Sequence, residues 1–165
     1  MKVLTKKNLS DQDREPVEIK WEPSEGKMYA ILYRRMVEVF NVEDETGGEF
    51  PCSHSIFDTI ASSFDFIGPK QLCISDEKGN FTILKNINSQ ESLTMNIINT
   101  KFDRIRQVRT CYSDSLKFQF LSALSTDCKM AIWSCDRILA FEDDLTELKA
   151  DRVVKSKHRL TCLAV

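Results

Sequence analysis

The chain has 165 residues, 42% of them apolar, which excludes a disordered chain and allows one domain with a sizeable core. Its 23 Lys and Arg against 25 Asp and Glu leave a formal charge of −2, so no overall field draws it to nucleic acid, although a local basic face is compatible with that balance. No apolar run approaches the roughly 20 residues that cross a bilayer, and the first residues, MKVLTKKNLSDQDREP, lack the apolar core of a signal peptide. The expectation is a soluble, intracellular protein with reduced thiols and no membrane partner.

In chain order, residues 2–7 alternate weakly, as a short edge strand would. Residues 8–15 read as a polar loop that Pro16 ends. VEIKW (17–21) places Val17, Ile19 and Trp21 on one face of a strand. After a turn holding Pro23 and Gly26, strands are expected over 28–33 and 36–42, with Arg34 and Arg35 in the turn between them. The acidic 43–49 is a solvated connection. An outer strand at 56–60, an inner one at 63–67, a turn at Gly68-Pro69, a hairpin over 72–84 and an outer strand at 93–98 come next. In 104–111, Ile105 and Val108 face inward across a change of parity that signals a bulge. A hairpin over 120–133 turns at Ser125-Thr126-Asp127-Cys128. Residues 138–149, carrying Leu145 and Leu148, read as an amphipathic helical turn or a loop, and 159–165 as a last strand.

Three of these hairpins share one grammar: YAILYRRMVEVF, LCISDEKGNFTIL and FLSALSTDCKMAIW. With Phe40, Leu84 and Trp133 as equivalent positions, the spacings are 44 and 49 residues. A unit of about 40–45 residues is the period of a WD-repeat propeller blade. The competing reading is three unrelated hairpins in a sandwich. The expected fold class is therefore all-β: a partial β-propeller of antiparallel four-stranded blades, about three of them plus terminal strands. Complete propellers hold four to eight blades. Residues 1–165 are expected to form one incomplete propeller domain without its N-terminal blades, either part of a longer chain or a reduced form that closes with a partner.

No catalytic constellation is evident. His54 and His158 are the only histidines, both in polar loop-like context, and no G-x-S-x-G, P-loop or G-x-G-x-x-G occurs. Cys73 and Cys162 lie inside apolar runs and Cys111 follows one, where a thiol acts as a small hydrophobe. Cys128 and Cys135 are seven apart, and the Cys52–His54 pair has no second pair at a zinc-like distance. No catalytic residue, metal, cofactor or small-molecule substrate is expected. Ser75-Asp76 and Ser125 with Asp127 read as turn-stabilising groups, Arg34-Arg35 as solvated turn residues, and the Asp143-Asp144 and Asp44-Glu45 pairs as solvated faces. The candidates for partner binding are Arg104 and Arg106, with Lys155, Lys157 and Arg159. Each group sits where an outer strand leads into the next inner one, and arginine there can clamp carboxylates or phosphates.

DRIRQV (103–108), LSTDCKMAIW (124–133), RLTCLAV (159–165) and VEIKWEPSEGKMYAILYRRMVEVFNV (17–42) occur in the order of similar segments in one WD-repeat family. The chain resembles the p21-activated kinase-interacting proteins, whose fungal members are the nucleolar maintenance-of-killer factors. It departs from them in having Cys128 where the family hairpin has Gly, and in lacking the N-terminal blades, the lysine-rich tail and most of the His-containing strand starts. The resemblance implies a non-catalytic scaffold for assembling the large (60S) ribosomal subunit in the nucleolus, touching assembly factors of the pre-60S particle and ribosomal RNA phosphates. Its second implication is a cytoplasmic module that binds and restrains p21-activated kinase.

Overall fold

The computed structural model describes residues 10–45, 47–113, 118–141 and 147–158. Strand makes up 55% of the described residues and helix 6%, so the fold is all-β. Three antiparallel four-stranded meanders succeed one another. The first holds β1 (Pro16–Trp21), β2 (Met28–Tyr33), β3 (Met36–Asn41) and β4 (Ser53–Ile56). The second holds β5 (Ala61–Gly68), β6 (Gln71–Asp76), β7 (Asn80–Lys85) and β8 (Thr94–Asn99). The third holds β9 (Ile105–Ser113), β10 (Phe118–Ser125), β11 (Lys129–Ser134) and β12 (Arg152–Lys155), with α1 (Cys135–Leu139) between β11 and β12. Strand β5 lies against both β1 and β9, so the three sheets are arranged like blades of part of a propeller, first strands together at the hub.

The registers make the repeat concrete. Trp21–Tyr29–Phe40, Phe66–Leu72–Leu84 and Thr110–Leu121–Trp133 are corresponding rows across the first three strands of each sheet. Phe40, Leu84 and Trp133 are each the fifth residue of a six-residue third strand, as the sequence spacing predicts. Alternation sends Phe64, Phe66, Leu72 and Leu84 into the core shared with Ala30, Leu32 and Val39 of the first sheet. The opposite face of the second sheet, with Ile67, Cys73, Phe81 and Ile83, meets Val108, Leu121 and Trp133 of the third. Phe81 and Phe102 meet the Trp133 ring edge-on at centroid distances of 5.0 and 5.6 Å, and Trp133 Nε1 donates to the Leu148 carbonyl at 3.2 Å. Burying one such ring contributes about 2–3 kcal/mol.

The turns close as the sequence predicts at Asp76 and at Ser125 with Asp127, whereas Ser75 is buried in β6 and its Oγ donates to the Ser63 carbonyl of β5 at 3.1 Å. Asp76 Oδ1 accepts from the Lys78 and Asn80 amides at 2.9 and 2.8 Å, and Ser125 Oγ donates to the Asp127 carboxylate. Gly79 has φ +79° in the β6–β7 turn, and a Cβ there would fall on the Phe102 carbonyl oxygen. Cys128 occupies the same place in the β10–β11 turn with φ +62°, a left-handed conformation that disfavours any side chain. The expected bulge in β9 is present: Leu124 pairs with Gln107 and Ser125 with Ile105, which skips Arg106.

Several expectations need correction. The outer strand expected at 56–60 runs instead over Ser53–Ile56, because Arg35 ties down the residues just after it. Its guanidinium donates to the carbonyls of Phe57 at 3.2 Å and Asp58 at 2.9 Å, so Arg35 holds the β4–β5 connection and is not merely solvated. The polar segment before Pro16 contains a 3-10 helix, Asp11–Arg14, whose first turn is held by a reciprocal Ser10–Asp13 capping box. The helical turn sought in 138–149 begins earlier, in α1, while β12 has no counterpart in the sequence reading. The strands expected at 2–7 and 159–165, and Leu145, lie outside the described residues.

Candidate partner-binding site

Each inner strand alternates polar positions with positions on the face turned to the preceding side, as Glu18-Ile19-Lys20-Trp21, Ser63-Phe64-Asp65-Phe66 and Gln107-Val108-Arg109-Thr110. The polar positions serve a structural purpose. The free edge of an inner strand carries amides without a ladder partner, and the preceding sheet caps them. Glu18 Oε2 accepts from the Phe64 amide at 3.2 Å and from Ser63 Oγ at 2.9 Å. Ser63 Oγ in turn accepts from the Val108 amide at 3.3 Å, and Asp65 Oδ2 from the Thr110 amide at 2.8 Å. Lys20 Nζ donates to the Phe64 carbonyl and lies 3.4 Å from both Glu18 and Asp65, while Arg109 reaches Glu18 at 2.9 Å.

The electrostatics reflect that geometry. Burial pushes the Glu18 carboxyl up, but the Lys20 charge and the hydrogen bonds from Arg109, the Phe64 amide and Ser63 outweigh it, leaving the group below its ordinary value. Burial also lowers the Lys20 ammonium, against the pull of Asp65 and Glu18. The network ties all three sheets together at the hub.

At the end where the inner strands begin, the hub opens into a cleft of about 520 Å³. Its wall is the start of each inner strand: Glu15, Pro16 and Val17 from the first sheet, Ile60, Ala61 and Ser62 from the second, Arg104 and Arg106 from the third. Arg34 in the β2–β3 turn and Thr126 in the β10–β11 turn complete it. Backbone bonds fix this mouth: the Ala61 amide donates to the Arg34 carbonyl at 2.7 Å and the Thr126 amide to the Arg104 carbonyl at 2.9 Å.

The structure thus brings Arg104 and Arg106 together and adds Arg34, which the sequence reading leaves to solvent. A topological signal was available. In a four-stranded meander the turn between the second and third strands lies at the end where the inner strand starts, so Arg34 and Arg106 share a rim. Among the described residues, the Arg104 and Arg106 side chains make no hydrogen bond or ion pair. Arg34 contributes only a charge effect that lowers the Asp13 carboxyl, after the larger effect of Ser10.

Lys157 does not line the cleft. It comes after β12, whose end is tied to the β10–β11 turn by the Ser156 amide donating to the Cys128 carbonyl at 2.9 Å. Arg159 lies outside the described residues. Cys73 is buried and its thiol is pushed well up by that burial, and burial, followed by the Asp136 charge, takes Cys135 to about 12, so both stay protonated. Among the described residues no three His, Cys, Asp or Glu side chains cluster to hold a metal.

No model of a known protein family matches the chain, and no curated protein sequence matches it either.

Proposed function

We propose that the chain is a non-catalytic WD-repeat scaffold that binds partners through the hub mouth, as an assembly factor of the large ribosomal subunit in the nucleolus. The observation that carries the binding role is the convergence of Arg34, Arg104 and Arg106 on one open cleft, the latter two without partners among the described residues. Unpaired guanidinium groups held by rigid strands are ready-made clamps for carboxylates or phosphates. The ribosomal setting rests on the segment resemblance at 17–42, 103–108 and 124–133.

A tagged chain is expected to co-sediment with nuclear pre-60S particles. The double change Arg104→Glu and Arg106→Glu is expected to release it. A tag found only with p21-activated kinase would favour the signalling reading, and a tag found only free in the cytosol would remove the assembly role.

A further inference from the structure

We infer that the hub mouth takes an acidic peptide segment rather than a nucleic-acid backbone; this rests on the scaffold reading and names the class of partner. Two features select the peptide. The first is the distribution of charge around the rim. Glu15, Ile60 and Arg104 stand at corresponding places just ahead of the three inner strands, and Val17, Ser62 and Arg106 one step inside them. The rim is therefore acidic beside β1 at Glu15 and basic beside β9 at Arg104 and Arg106, with Arg34 at the start of β5, so one carboxylate stands among three guanidinium groups. A polyphosphate would bring like charge against Glu15, whereas a peptide can turn carboxylates to Arg104 and Arg106 and offer a backbone N–H to Glu15.

The second feature is the lining. Pro16, Val17, Ile60 and Ala61 set apolar groups into an otherwise polar lining, where aliphatic side chains between carboxylates can rest. Among the described residues no aromatic ring or histidine lines the cleft, so bases have no stacking platform. Arginine clusters that recognise acidic motifs in peptides work by the same paired hydrogen bonds.

The test uses the full chain and three fluorescent probes of equal length: a peptide alternating glutamate and leucine, its counterpart with glutamine for glutamate, and an oligouridylate. The glutamate peptide is expected to bind most tightly, by about tenfold over the glutamine form. Arg104→Gln combined with Arg106→Gln is expected to erase that preference with an unchanged melting temperature. Glu15→Lys, which leaves both arginines intact, is expected to raise oligouridylate binding by about tenfold. Equal binding of the two peptides, or oligouridylate binding the unaltered chain best, overturns the peptide assignment. If that happens while particle association still needs Arg104, the scaffold reading survives alone; if particle association is lost as well, both fall.

Discussion

Trp21 and Phe66 hold the same place in their sheets, yet Trp21 is 56% exposed and Phe66 1%. The neighbouring pair behaves alike: Ile19 is 60% exposed and Phe64 is fully buried. Both strands obey one alternation, and these apolar positions of each point toward the preceding sheet. For β5 that sheet is the first one; over β1 no sheet lies among the described residues. Pattern decides which face a side chain takes, and only a neighbour decides whether that face is dry. The uncovered face is organised nonetheless, for Tyr29 stacks on Phe40 at 4.8 Å and contacts Trp21 at 5.2 Å.

The largest expected effect breaks this comparison directly. Phe64→Ala should cost about 3–5 kcal/mol by urea unfolding, and Ile19→Ala less than about 1 kcal/mol. Similar losses at the two sites would mean that Ile19 is covered in solution. Next comes Gly79→Ala, expected to cost roughly 2–4 kcal/mol because the added carbon meets the Phe102 carbonyl at a positive φ.

Glu18→Gln probes the tie between the first and second sheets, with an expected cost of roughly 1–3 kcal/mol at neutral pH, between exposed and buried ion pairs. Because folding holds the Glu18 carboxyl below its unfolded value of 4.5, its contribution is complete above that value and is lost as pH falls through the lower folded value. The unaltered protein should therefore lose stability below about pH 4.5, with a shallower slope in Glu18→Gln. The smallest effect has the opposite sign: Cys128→Gly should stabilise by about 0.5–1 kcal/mol by relieving the left-handed strain. A loss of stability there would show that the thiol makes a contact worth more than the strain.

The hairpins were legible in the sequence because each is a local event: alternation on both sides of a short polar turn sets strand, face and register together. Among the outer strands, Thr94–Asn99 was legible as well, and the other two were not. Ser53–Ile56 and Arg152–Lys155 are short and largely polar, and their limits are set by distant groups such as the Arg35 guanidinium. Half of the binding rim was legible, since Arg104 and Arg106 are adjacent in sequence to a strand start. Arg34 and Glu15 join them only through the meander. Alternation alone gives Glu18 and Asp65 no role; only the adjacent sheet shows that they cap its free edge.

That edge capping is what makes three meanders one arc, and amide hydrogen exchange tests it most directly. The Glu22 amide bonds to the Met28 carbonyl at 2.9 Å, which sets the phase of the β1–β2 ladder and points the Ile19 amide outward from the free edge, as the Phe64 amide points outward from its own. The Phe64, Val108 and Thr110 amides should then exchange as slowly as ladder amides, and the Ile19 amide rapidly. Rapid exchange at Phe64 and Thr110, equal to that at Ile19, would contradict the radial arrangement of the sheets.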